Sequence, residues 1–110
     1  MTRGETPVSV PLPLSAVEIA AHLASRDGWT GDTTEITKTY VIGYHAGVRL
    51  IVEVAAESKR VGHHADVDLR WGTVRFGITT HDAGNTVTAL DFDLADRIDR
   101  IAAEHGATTG

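Results

Sequence analysis

The chain has no cysteine, which excludes disulfide staples and thiolate catalysis. No apolar run approaches the length needed to span a membrane. The first residues also lack the charged-then-apolar pattern of a secretion signal, so a cytoplasmic protein without membrane contact is the expectation. Basic residues are scarce: ten Lys and Arg stand against fifteen Asp and Glu, for a formal net charge of −5. That balance argues against direct nucleic-acid binding. Proline is absent beyond residue 13, since Pro7, Pro11 and Pro13 are the only three. There is no internal repeat and no block of like charge. The 110 residues suit one domain with a modest core. The proline-bearing stretch 1–13 reads as a loose or extended arm, 14–105 as the domain, and 106–110 as a frayed tail.

Hydrophobic periodicity supplies the elements. Ser15 and Glu18 have the spacing of a capping box, which satisfies the free backbone donors at a helix start. Val17, Ala20, Ala21 and Ala24 follow on a helical period, Ile19 and Leu23 widen the apolar face, and Asp27-Gly28 ends the run. Trp29, expected in packing, precedes a turn at Gly31-Asp32, and the β-branched stretch from Glu35 to Ile42 reads as a strand. A second helix is expected over 46–61, with Val48, Ile51, Val52 and Ala55 facing the core, Leu50, Val54 and Ala56 alongside them, and Gly62 as its C-cap. Val67, Leu69 and Trp71 then alternate with polar residues, as do Val74, Phe76 and Ile78, which predicts a hairpin turning near Gly72. Thr88 and Asp91 repeat the capping-box spacing with a carboxylate variant. Leu90, Leu94, Ile98 and Ile101 make the inward stripe of a third helix, with Arg97, Asp99 and Arg100 outward. The order is α-β-β-α-β-β-α: an α+β domain with a four-stranded antiparallel sheet covered on one face by three helices.

Histidine is where chemistry concentrates. His63 and His64 enter the hairpin and His81 leaves it. With the turn centred on Gly72, His81 faces His63; with the turn half a residue away, it faces His64. Directly opposed residues sit roughly 5 Å apart at Cβ, so three of the six histidines converge. Imidazole can both give and take a proton near neutral pH. The plainer alternative is a solvated polar connector between helix and strand. Three neutral imidazoles can also bind zinc, but adjacent His63 and His64 point to opposite faces in regular strand, so joint ligation requires an irregular backbone. His45 reads as surface.

The segment Lys59-Arg60-Val61-Gly62-His63-His64, the strand Asp66-Val67-Asp68-Leu69-Arg70-Trp71, the run Thr79-Thr80-His81-Asp82-Ala83-Gly84 and the run Asp91-Phe92-Asp93-Leu94-Ala95 together resemble the pterin-4a-carbinolamine dehydratases. That family is also known as a dimerisation cofactor of a homeodomain transcription factor. The resemblance runs from about Leu14 to Ala103. It implies dehydration of a 4a-hydroxytetrahydropterin to the quinonoid dihydropterin, as in tetrahydrobiopterin recycling. The pterin is then the substrate, and no cofactor or metal is required. His63, His64 and His81 become the acid and base groups around the C4a hydroxyl and N5, with the individual roles open. The resemblance further implies a homodimer or homotetramer.

Four other residues stand as substrate-binding or supporting candidates. Lys59 lies four residues before His63, where a helical relation could aim it at the site, although a solvated helix face explains it as well. Asp66 follows the histidine pair. Asp82 adjoins His81 and could orient it, or simply serve the turn. Asp91 could steady a histidine or cap the third helix, and capping is the favoured role. The chain departs from the family in having Ala65 where a proline usually follows the two histidines, Val67 at a position often aromatic, and a longer loop before Asp91. None of these removes a proton-transfer group. The alternatives to the enzyme are a non-catalytic assembly cofactor that binds a protein partner, and a dehydratase of another pterin.

Overall fold

The computed structural model describes residues 11–110. What was expected of the arm before Pro11 therefore lies outside the described residues. Three helices and five strands follow: α1 (Ala16–Ala24), β1 (Thr30–Gly31), β2 (Ile36–Val41), α2 (Tyr44–Val61), β3 (Asp66–Arg70), β4 (Thr73–Ile78), α3 (Ala89–Glu104) and β5 (Thr108–Thr109). The sheet runs β1-β2-β4-β3, all antiparallel, and β5 joins the same outer edge of β2 that β1 uses. The α+β order is the one the periodicity predicts, with a two-residue fifth strand added. No helix among the described residues is long and apolar enough to cross a membrane.

One face of the sheet carries the core. Ile36, Val74, Phe76 and Ile78 are fully buried there, against Leu50 of α2 and Leu94 and Ile98 of α3. Both expected capping boxes form: Ser15 with Glu18, and Thr88 with Asp91. Gly62 ends α2 at φ 74°, a left-handed conformation that glycine adopts without a Cβ penalty. That reversal points the chain after α2 back along the sheet and sets the two histidines at its rim.

Five expectations need correction. The first helix stops at Ala24 with Ser25 as its C-cap, before Asp27-Gly28. In α2 the buried row is Gly47, Leu50, Val54 and Ser58, while Val52 is 65% exposed and Val48 38%. The helix has two apolar rows, and Gly47, with no side chain, lets the backbone approach Val74 and Leu69 so that its own row turns inward. Leu90, expected in the stripe of α3, is 43% exposed because it sits in the first turn, at the rim. Asp99, expected outward, accepts hydrogen bonds from Lys38 Nζ (2.8 Å), Trp29 Nε1 (3.1 Å) and Tyr40 Oη. The terminal residues are not frayed: Gly106 at φ 76° reverses the chain after α3, and Thr108 and Thr109 pair with Val41 and Tyr40.

Candidate active site

The hairpin turns between Trp71 and Gly72, so Asp66 faces Gly77 and Arg70 faces Thr73. Neither register that would oppose His81 directly to His63 or His64 forms. Strand β4 ends at Ile78, Thr80 makes a lone bridge to Thr86, and His81 begins a one-turn 3-10 helix, His81–Ala83. The three histidines nevertheless meet. A cleft of about 230 Å³ is lined by Pro11, Gly62, His63, His64, Thr80, His81, Asp82 and Leu90. Convergence comes from the rim of the sheet, where α2 ends and the 3-10 turn begins, rather than from a continued ladder.

The two ends of the cleft are built differently. His63 is 13% exposed, and its Nε2 lies 2.6 Å from Oδ1 of Asp91, which is completely buried. Oδ2 of Asp91 accepts from the Thr80 hydroxyl (2.9 Å) and from the backbone N–H of Thr88 (2.8 Å). Thr80 uses its hydrogen on Asp91, so the Thr88 hydroxyl donates to Thr80 across 2.7 Å. Three donors thus converge on one buried carboxylate, as a charge out of water requires. An acceptor-only carboxylate facing Nε2 fixes the proton there and leaves Nδ1 as the nitrogen available to a ligand. Asp91 therefore caps α3, the role favoured from its spacing, and holds His63 as well.

At the other end His81 is exposed, and its Nδ1 lies 2.7 Å from Oδ1 of Asn85. His64 is exposed too, and no side-chain hydrogen bond reaches its imidazole among the described residues. Asp82 lines the cleft beside His81. Lys59 is exposed on the last turns of α2 and does not line the cleft. Asp66 opens β3 on the sheet face away from the helices, alternating with Val67, and also lies outside the lining. Among the described residues no group of three His, Asp or Glu is arranged to hold a metal ion.

Four contributors were not among the site residues expected from the sequence. Thr80 looks like any strand threonine until its burial and its bond to Asp91 are seen. Asn85 reads as turn composition. Pro11 lies in the arm, and Leu90 was expected in the core; both present apolar surface to the cleft. A small concave cleft where polar side chains converge beside the apolar Pro11 and Leu90 can hold a small polar molecule.

Known proteins resemble this chain over most of its length. In Streptomyces coelicolor a relative provisionally named pterin-4-alpha-carbinolamine dehydratase is 40% identical over 96 residues, covering 86% of this chain and 95% of its own. One from Roseiflexus sp. RS-1, with the same provisional name, is 43% identical over 89 residues and covers 80% and 95%. Among solved structures, a transcriptional coactivator/pterin dehydratase from Brucella melitensis superposes with a TM-score of 0.74 at 24% identity, over 81% of this chain and 97% of that one, a likeness of fold. The family model described as pterin 4 alpha carbinolamine dehydratase matches residues 12–101. That span takes in every segment that lends a side chain to the histidine cleft except Pro11, and the chain belongs to the pterin 4 alpha carbinolamine dehydratase family.

Proposed function

We propose that the cleft dehydrates a 4a-hydroxytetrahydropterin by general acid and base catalysis. The C4a–O bond breaks and its electron pair leaves with oxygen. An imidazolium supplies the proton that turns hydroxide into water, a far better leaving group. The N5–H proton passes to a neutral imidazole, and the pair released at N5 forms the C4a=N5 bond of the quinonoid dihydropterin. Each positioned proton transfer is typically worth ~10²–10⁴-fold. His63, His64 and His81 supply the groups, and the reaction needs no cofactor beyond the pterin substrate.

The observation that carries this reading is the clustering of three histidines on one cleft, two of them held through a single ring nitrogen by Asp91 and Asn85. Each keeps its second nitrogen for a ligand. A solvated connector has no need of a buried carboxylate with three donors behind one of its histidines. Regeneration of tetrahydrobiopterin after aromatic amino-acid hydroxylation is the setting we infer from the family. The test generates the 4a-hydroxy intermediate with an aromatic amino-acid hydroxylase and follows its dehydration with and without the protein. We expect a clear acceleration that His63→Ala or His64→Ala removes; no acceleration by folded protein would refute the assignment.

A second reading has its own observation. Tyr44, Val48 and Val52 form an exposed row along α2, and Tyr44 stacks on Trp71, which is 80% exposed at the hairpin turn. Contiguous exposed apolar surface marks association sites. We infer that this band joins copies of the chain into a homodimer or homotetramer. The solved neighbour described as a coactivator makes a protein partner on the same surface the alternative.

A further inference from the structure

Asn85 is the one non-glycine residue with positive φ (61°) among those described. It follows Gly84, itself at 78°, so two successive left-handed residues fold the loop back on the 3-10 turn. The Asn85 N–H then reaches the carbonyl of Thr80 at 3.1 Å, and the carboxamide returns to the ring of His81. Asparagine tolerates this conformation better than most side chains, but glycine meets it with no cost. Asn85 is exposed, so packing does not explain its side chain. What the carboxamide adds is one hydrogen bond, to Nδ1 of a histidine in the cleft.

We propose that Asn85 is a positioning residue that holds His81 as its Nδ1–H tautomer and presents Nε2 to the cleft as a proton acceptor. The proposal rests on the dehydratase reading of the same site. The Asn85 carboxamide oxygen only accepts, so the nitrogen facing it carries the hydrogen. Asp91 does the reverse to His63, fixing the proton on Nε2 and exposing Nδ1. The cleft is therefore bordered by two imidazoles held in opposite tautomers, one by a buried carboxylate and one by an exposed neutral amide. Second partners of this kind commonly decide which histidine nitrogen acts. An exposed amide is easily exchanged, which makes Asn85 the adjustable half of the pair.

The experiment uses ring-nitrogen NMR on the full-length ¹⁵N-labelled protein at a pH where the histidines are neutral, alongside the dehydration assay. The wild type should show His81 as Nδ1–H and His63 as Nε2–H. Asn85→Gly keeps the left-handed backbone and removes the acceptor. It should return His81 to Nε2–H, leave the His63 signature unchanged, and lower kcat roughly tenfold with little change in KM. Asn85→Asp restores an acceptor oxygen and should restore the Nδ1–H signature. His81 found as Nε2–H in the wild type, or still Nδ1–H in Asn85→Gly, would overturn the proposal. So would Asn85→Gly that loses the signature at wild-type kcat. A protein with the expected tautomers but no dehydration activity would instead sink the proposed function, leaving the hold of Asn85 on His81 in place.

Discussion

Oδ1 of Asp91, in the first turn of α3, lies 2.6 Å from Nε2 of His63, one residue past the C-cap of α2. Helix capping and the candidate chemistry thus share one carboxylate. Asp91→Asn tests the coupling. An amide has one acceptor oxygen where the carboxylate has two, yet His63, Thr80 and the Thr88 N–H all donate to it. Either the cap faces a second donor or His63 must change tautomer. We expect kcat for dehydration to fall by ~10²–10⁴, the range for losing one positioned proton transfer. Stability should fall by about 1–3 kcal/mol, the cost of an unsatisfied buried group. A variant with wild-type kcat and urea midpoint would show that Asp91 neither orients His63 nor supports the cap.

Asp99, about two turns further along α3, anchors a second polar cluster against β2. Lys38 is 6% exposed, and its ammonium is paired with Asp99 at 2.8 Å. Burial, together with the hydrogen bond to Asp99, pushes the Tyr40 hydroxyl far above its ordinary pKa, so it remains a donor throughout the accessible pH range. Asp99→Ala would strand a buried cation. Breaking buried pairs costs roughly 3–5 kcal/mol, and the partial exposure of Asp99 lowers the expectation to about 2–3 kcal/mol. Chemical denaturation should report that loss with dehydration kinetics little changed, since these residues lie outside the cleft. Unaltered stability would mean that Lys38 finds water in the variant.

Glu57 gives the fold a pH dependence. Its carboxylate, between Arg60 and Arg97, is held down to about 2 from an ordinary 4.5, first by the hydrogen bond from Arg60 and then by that from Arg97. A folded-state pKa below the unfolded one stabilises the fold above about pH 4.5, and the contribution disappears as pH falls through 2. Glu57→Gln should therefore be less stable than wild type at neutral pH, with the gap closing between pH 4.5 and 2. Thermal melts across that window measure it. A gap independent of pH would show that the Arg97 link between α2 and α3 acts through shape rather than charge.

The two capping boxes and Gly62 could be read in the sequence because each follows from local spacing; the three histidines do meet, but at the rim of the sheet and not across the ladder from which their meeting was expected. The register of the hairpin could not: Trp71 and Gly72 both suit a turn, and a half-residue difference decides which residues face. Asn85 was invisible because its role depends on a left-handed loop that composition leaves open. Thr80 was invisible because threonines look alike until one is buried beside a carboxylate. The apolar rows of α2 misled for a physical reason. Both have helical periodicity, and Gly47, counted as weak in a hydrophobic pattern, is what draws its own row against the sheet.

The row left outside makes the last prediction. Val52 is 65% exposed in the middle of α2, with Val48 and Tyr44 in line before it and Trp71 stacked on Tyr44. In a monomer Val52→Asp would change stability by no more than about 0.5 kcal/mol, as exposed substitutions do. In an oligomer built on this band it places a charge in a desolvated interface, where it is strongly unfavourable. Sedimentation should find the wild type as a dimer or larger at micromolar concentration and Val52→Asp shifted toward monomer, with the same helical circular dichroism. If the wild type sediments as a monomer, the band serves another partner or none, and the cleft must work without help from a second copy.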